Sequence, residues 1–302
     1  MNPDLKIAII GSNSKVASAI IRLLTKETTW SIHAYSSSLH ATQETSIHKK
    51  VVQYDAVKSW KEEFMALRPD YIINTAAMTN VDACELHKQE AWFANATFVE
   101  QLTRIALITE AHLIHFSTDY VFNGLKGPYH EHDIPSPLSY YGKSKLAGEN
   151  AVLKSHALNT VIRTNVVYGY TQEHQQDFVK WILHNAEHHQ SMSIVNDQFS
   201  HPTLTDDLAL AVKKIIEKKR CGLYHVAGNT YCNRYDFALE IAKIFHLDTQ
   251  LFTAIETSSL KQPARRPLKG GLINLKAHTD LGIEFSSVEE GLVRLRHQMH
   301  VL

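Results

Sequence analysis

The chain has 302 residues, enough for one large domain or two smaller ones, and 44% of them are apolar, as in ordinary soluble globular proteins. Lys+Arg and Asp+Glu both number 31, which argues against a nucleic-acid or polybasic membrane partner, and no apolar run approaches the ~20 residues of a membrane span. Cys84, Cys221 and Cys232 lack paired spacing and MNPDLKIAIIG has no signal-peptide pattern, so reduced thiols and a cytoplasmic location are expected.

KIAIIGSNSKVASAIIRLL reads as strand, tight turn and helix, with Lys6 to Ile10 the strand and Val16, Ile20, Leu23 and Leu24 the apolar stripe. A dinucleotide fold places its phosphate loop at such a turn. Gly11 makes the turn, and the helix amino terminus offers N–H groups and a positive dipole end to a pyrophosphate. Gly11, Ser14, Lys15 and Val16 are the expected cofactor contacts there. The next strand, SIHAYS, ends at Ser36, Ser37 and Ser38, with His40 beyond. A fold specific for NAD usually carries Asp or Glu about 20 residues past the loop. Serines tolerate a 2′-phosphate better than a carboxylate does, so NADP is favoured over NAD. Val51 and Val52 lead to Asp55, then a helix, SWKEEFMALRP, closes at Pro69.

The stretch from Leu113 to Glu149 carries the chemistry. Leu113, Ile114 and Phe116 read as a buried strand ending in Ser117, Thr118 and Asp119, and polar groups at such a strand end face the ligand crevice. A loop with Gly124, Gly127, Pro128, Pro135 and Pro137 follows, and then Tyr141 and Lys145, four apart in a helical segment and so on one face. An ammonium beside a phenol favours phenolate, drawing the phenol down from its usual value near ~10. Such a phenol can protonate a carbonyl oxygen as it becomes an alkoxide, with the Thr118 hydroxyl as a second donor.

STDYVF and YGKSKLAGE resemble the catalytic core of an extended short-chain dehydrogenase/reductase, and more narrowly the dTDP-4-dehydrorhamnose reductase family. The resemblance implies a doubly wound α/β parallel sheet with a smaller substrate lobe. It makes Thr118 the catalytic hydroxyl, Tyr141 the proton donor, and Lys145 the partner of Tyr141 and of the nicotinamide ribose. It places Asp55 near the adenine, although a turn aspartate capping the next helix reads as well. Asn74, Ala76 and Ala77 match the family's N-A-A turn at the cofactor, and Thr79, Val81, Asp82 and Glu85 match beyond it. Of these, Thr79 and Val81 are expected at the substrate together with Thr118 and Asp119; the carboxylates are expected to cap and hold loops. Asn95 is expected to bond across the sheet near the active strand. NDQFSHPT, with Gln198, resembles the entrance to the nucleotide-sugar site. Arg265 and Arg266, in a segment resembling the family's A-R-R-P, are candidates for the substrate diphosphate, because a guanidinium fork suits phosphate oxygens.

Four positions depart from the family's pattern. Ser14 and Ala17 stand at the second and third glycines of G-x-x-G-x-x-G. Val166 stands where a tryptophan often lies against the sugar. Asp177-Phe178 replaces the more usual Asn-Phe.

The alternation of strands and helices from residue 6 to about 165 argues a dinucleotide-binding domain over 1–165, with 166–302 mainly the substrate-binding lobe and some return to the main sheet. The expected activity is NAD(P)H-dependent reduction of a nucleoside-diphosphate 4-keto-6-deoxy sugar, most simply dTDP-4-dehydrorhamnose, in deoxysugar supply for polysaccharide. Another sugar-nucleotide reductase or epimerase is a close alternative. A non-catalytic NADP-binding regulatory subunit, like the β subunit of methionine adenosyltransferase, is a more distant one, resembled in EHDIPSPLSYYGKSKLAGENAVL. A homodimer is compatible with the sequence, but not one built around magnesium, since Ala19 replaces the glutamate some family members use. His184, Glu187 and His188 spell H-x-x-E-H, an inverted zinc-protease signature, on the polar end of an amphipathic helix. No convincing third ligand follows to complete a protease centre, and no metal is expected.

Overall fold

The computed structural model describes residues 4–37, 47–51, 53, 57–155, 158–171 and 177–300. Asp55, Ser38 and His40 lie outside these residues.

The main sheet has seven strands: β1 (Lys6–Ile10), β2 (Ser31–Ser36), β3 (His48–Val51), β4 (Tyr71–Asn74), β5 (His112–Thr118), β6 (Thr160–Thr164) and β7 (Gly222–His225). Their order is β7-β6-β5-β4-β1-β2-β3, and every pairing is parallel. The order reverses at β1, so the gap between β1 and β4 is the switch point where such sheets bind ligands. This is the doubly wound sheet anticipated above.

Eight longer helices accompany it: α1 (Lys15–Glu27), α2 (Val57–Leu67), α3 (Phe98–Thr109), α4 (Tyr140–Lys154), α5 (Phe178–Glu187), α6 (Thr205–Glu217), α7 (Arg234–Phe245) and α8 (Val288–His300). One face of the sheet is covered by α1 and α6, whose Ala17, Ile20 and Leu24 meet Leu208, Val212 and Ile215 over Ile7, Ile9 and Ile73. The other face packs Trp60 and Phe64 of α2 and Val99, Leu102 and Ile105 of α3 on Ala8, Ile10 and Ile72. A strand buried on both faces needs apolar side chains pointing both ways, which is why KIAII and YIIN are continuous apolar runs. A separate core, with Tyr168, Ile182, Ile194, Phe237, Ile241 and Leu292, lies among α5, α7 and α8 and a parallel pair of short strands, Met192–Val195 with Phe252–Ile255.

The helical run before α3 contains a π turn over Phe93–Thr97. Such turns are uncommon and re-aim side chains near sites. Here it carries the fully buried Asn95.

Candidate active site

Gly11 has φ +78°, and a Cβ there would stand 2.6 Å from the Ala76 nitrogen, so both the turn and the close approach of the β1 and β4 ends require glycine. Ser14 needs no such freedom. It is an extended N-cap of α1 with φ −70°, its Oγ accepting from Ala17 N at 3.1 Å and donating to Thr75 Oγ1 at 2.8 Å. The hydroxyl thus ties the loop to the end of β4 instead of standing available to a phosphate. Val16 is turned to the core beneath.

A cleft of about 1030 Å³ opens at the carboxyl ends of β1, β2 and β4. Gly11, Ser14, Ser36, Ser37, Ala76 and Ala77, expected at the cofactor, and Thr79, expected at the substrate, all line it. Ser36 and Ser37 close β2 without a carboxylate. Asn74 is fully buried beneath: its Oδ1 accepts from Ala76 N at 3.1 Å and its Nδ2 meets His115 Nδ1 at 3.1 Å, so it shapes the turn from below. Asn95 does not bond across the sheet. Its amide clamps Met78 (N at 2.9 Å, O at 3.0 Å) to Ser144 Oγ at 3.0 Å, joining the cleft wall to α4.

Ser139 caps α4 through Gly142 N at 3.1 Å, which sets the helix phase that turns both Tyr141 and Lys145 inward. Tyr141 is buried against Cys84 and Ala91, with Tyr120 edge-on at 5.6 Å. Burial pushes its phenol well above the usual value, while the hydrogen bond with Thr118 acts the other way. Desolvation governs, so the phenol is raised and not drawn down as the spacing predicted, and Tyr141 keeps its proton. A proton donor has to be in that form. Lys145 Nζ donates to the Phe116 carbonyl at 2.7 Å, and burial lowers its ammonium to about 8 against the opposing charge of Glu149. Thr118 closes β5 and caps the turn that follows, accepting from Tyr120 N at 3.2 Å. Asp119, expected at the substrate, is buried and spoken for by Asn165 Nδ2 at 3.0 Å and Gly271 N at 3.4 Å; burial raises its carboxyl.

Behind Lys145 lies a buried ion pair. Glu149 accepts from Arg163 Nη2 at 2.7 Å and Nε at 3.0 Å, and from Ser117 Oγ. Arg163 also lies 5.0 Å over the Phe122 ring and donates to His225 Nε2 at 3.4 Å; burial holds His225 down to about 3, so its imidazole is neutral.

A second cavity of about 480 Å³ is lined by Val166, Val167, Tyr168, Asp177, Phe178, Trp181 and Arg234. Val166 sits at φ +44°, where a β-branched residue is strained by ~1–3 kcal/mol. Arg234 has no carboxylate within ion-pair distance among the described residues, and its guanidinium lies 5.2 Å over Phe178. It escaped the sequence reading, yet it carries a signal. A cation in the first turn of a helix opposes the helix dipole, which calls for a reason. Arg266, expected at a diphosphate, is instead held bidentate by Asp82, with both bonds 2.6 Å. That pair leaves Asp82 holding a loop, as anticipated, and takes the guanidinium out of use. Arg265 is exposed, Gln198 donates to Thr257 Oγ1 at 2.9 Å, and Val81 packs beside Tyr141.

Lys15 does not line the cleft. It reaches across to Asp177, the N-cap of α5, and the two side chains are only 8% and 6% exposed. The ion pair joins the phosphate-loop helix to the wall of the second cavity.

Residues 5–301 match the family model described as the RmlD substrate binding domain. The chain belongs to this family. It is 31% identical to a dTDP-4-dehydrorhamnose reductase of Aggregatibacter actinomycetemcomitans, covering 96% of this chain and 98% of that one. Among solved structures it resembles a Clostridium acetobutylicum dTDP-4-dehydrorhamnose reductase with a TM-score of 0.87 and 31% identity, covering 98% and 100% of the two chains. A Bacillus anthracis dTDP-4-dehydrorhamnose reductase, solved in complex with NADP, gives 0.88 at 26% identity, covering 98% and 99%.

Proposed function

We propose that this chain reduces dTDP-4-dehydrorhamnose, or a close nucleoside-diphosphate 4-keto-6-deoxy sugar, with NADPH, acting in the cytoplasm. The observation that carries the reading is the Thr118 hydrogen bond to the Tyr141 phenol, with Lys145 one turn along α4, in a chain whose full-length relatives are named for that activity. NADP over NAD is supported by Ser36 and Ser37, which offer hydroxyls and no carboxylate at the end of β2. Residues 1–165 serve the cofactor and 166–302 mainly the sugar nucleotide.

When bound, the nicotinamide supplies a hydride to the sugar's carbonyl carbon. Tyr141 holds the proton that the carbonyl oxygen takes up, so the C=O bond becomes CH–OH and the phenol becomes phenolate. Thr118, hydrogen-bonded to that phenol, gives the oxygen a second donor and stabilises the charge as it develops. Lys145, positively charged below about pH 8, stabilises the phenolate left behind. Gly11 and the α1 amino terminus receive the pyrophosphate of the cofactor. Arg234 is placed for the diphosphate of the sugar nucleotide. Phe178 and Trp181, stacked at 5.9 Å in the second cavity, supply the aromatic surface missing at Val166.

The test is NADPH oxidation in the presence of dTDP-4-dehydrorhamnose. Turnover that falls by roughly 10²-fold or more in Tyr141→Phe, the range of general acid catalysis, supports the reading. NADPH binding with no turnover on any keto-sugar nucleotide would overturn it in favour of the regulatory subunit.

A further inference from the structure

We propose that His184, Glu187 and His188 form a surface site for one divalent transition-metal ion of the zinc or copper class, separate from the reductase centre. The three residues stand at i, i+3 and i+4 on α5, so they share one face of the helix. Their ligand atoms lie within 4.8 Å of one another, and among the described residues they are the one group of three acids, histidines or cysteines so arranged. All three side chains are exposed, so they are able to close by rotamer changes onto a metal with bonds of about 2.0–2.2 Å.

Two further observations favour a cation over a merely solvated polar end. First, His188 Nδ1 lies 2.7 Å from the His184 carbonyl. A carbonyl only accepts, so Nδ1 carries the proton and the Nε2 lone pair is left outward. This is how protein metal sites fix the tautomer and aim of a ligating histidine. Second, His184 and His188 stand at the last turn and C-cap of α5, where the negative end of the helix dipole favours a bound cation. The nearby cation on the preceding turn, Lys180, sends its ammonium to the Thr171 carbonyl at 3.4 Å.

The donor set, two imidazoles and a carboxylate, suits zinc, copper and nickel and not magnesium or calcium, which prefer all-oxygen ligation. The H-x-x-E-H spelling does not make the site a protease. In that signature the glutamate is a base over a metal in a substrate cleft; here Glu187 is on an open surface, about 15 Å along the helix from the Asp177 end that lines the second cavity. The ion would staple the last turn of α5 and touch no reacting atom. Two other imidazole pairs, His33 with His48 at 4.7 Å and His130 with His132 at 5.0 Å, are stacked, and each lacks a third ligand grouped with it. They are the natural internal competitors.

The experiment is calorimetric titration of the chelator-stripped full chain with Zn²⁺, alongside Glu187→Gln and the double variant His184→Gln/His188→Gln. The expected result is one site per chain in the parent, weakened in Glu187→Gln by at least the ~tenfold that loss of even an outer partner costs, and absent in the double variant. Copper electron paramagnetic resonance should show nitrogen couplings in the parent that the double variant loses. Exposed substitutions at this place should leave the fold and the KM for NADPH unchanged, which separates metal loss from misfolding. A tightest site that survives in the double variant, or a parent that takes up no zinc, overturns the proposal.

Discussion

The residue behind Lys145 gives the sharpest test of how the site is held. Glu149 is fully buried and faces three donors from Arg163 and Ser117. Glu149→Gln keeps the volume and some hydrogen bonding but removes the charge, leaving Arg163, itself 3% exposed, without its counter-ion. Breaking one side of a buried pair costs about 3–5 kcal/mol, a large fraction of the ~5–15 kcal/mol that holds a typical fold together. At roughly 2–4 °C per kcal/mol for a chain approaching this size, the thermal midpoint should fall by about 6–20 °C. The second consequence is electrostatic. Burial depresses Lys145 from 10.5 to about 8, and the Glu149 carboxylate is the largest opposing influence. Without it the ammonium loses its proton at still lower pH. Lys145 is charged below its folded value, so the alkaline limb of kcat/KM should move towards acid in the variant. A depressed lysine also destabilises the fold fully below about pH 8, and that cost is relieved as pH rises towards 10.5. Over that window this group makes activity fall and its own contribution to stability rise. The assay is a kcat/KM pH profile of NADPH-dependent reduction beside thermal unfolding of both proteins. A lower midpoint with an unmoved alkaline limb would refute the reasoning: Glu149 would then brace Arg163 and have no hold on Lys145.

Two further outcomes are expected. Arg234→Gln should raise the KM for the sugar nucleotide by roughly 10–100-fold, the worth of a charge-assisted hydrogen bond of about 1.5–3 kcal/mol, and leave the KM for NADPH unchanged; steady-state kinetics with each substrate varied in turn would refute this if both constants moved together. Asp177→Asn keeps the α5 cap on Lys180 N, 2.8 Å away, but removes the carboxylate facing Lys15. Urea unfolding should show a loss of about 3 kcal/mol, and a change within ~0.5 kcal/mol would mean that the buried ion pair contributes nothing.

Much of the cofactor half was legible in the sequence because its residues act through local rules. Lys6–Ile10 and Tyr71–Asn74 announce buried parallel strands by unbroken apolarity, Gly11 marks a turn, and Tyr141 and Lys145 share a face by their spacing. The substrate half was harder to read, since its arginines are assigned by which carboxylates lie near them in space. Arg266 looked available until the fold brought Asp82, 184 positions away in sequence, onto it. Arg234 looked ordinary until no carboxylate came. Nor does a residue type reveal how far burial will outweigh a charge: a lysine one turn from a tyrosine predicts a lowered phenol, and desolvation raised it.

Of the positions that depart from the expected pattern, Val166 and Asp177 line the second cavity, and Lys15, next to Ser14, reaches Asp177 there. Ser14 adds a side chain where the pattern has none, but that hydroxyl caps α1 and fastens Thr75 at the end of β4. Asp177 adds a negative charge near the expected diphosphate, which alone would repel it; Lys15, from the very next position after Ser14, neutralises that charge across the lobes. Val166 withdraws an aromatic face, while Phe178 and Trp181, on the helix that Asp177 caps, return one to the same cavity. Replacing Asp177 with the asparagine that the family resemblance leads one to expect should therefore be costly in this chain. Adding Lys15→Gln, the neutral counterpart, should restore most of the lost stability, because both members of a buried pair are then removed together and neither charge is left facing an apolar wall.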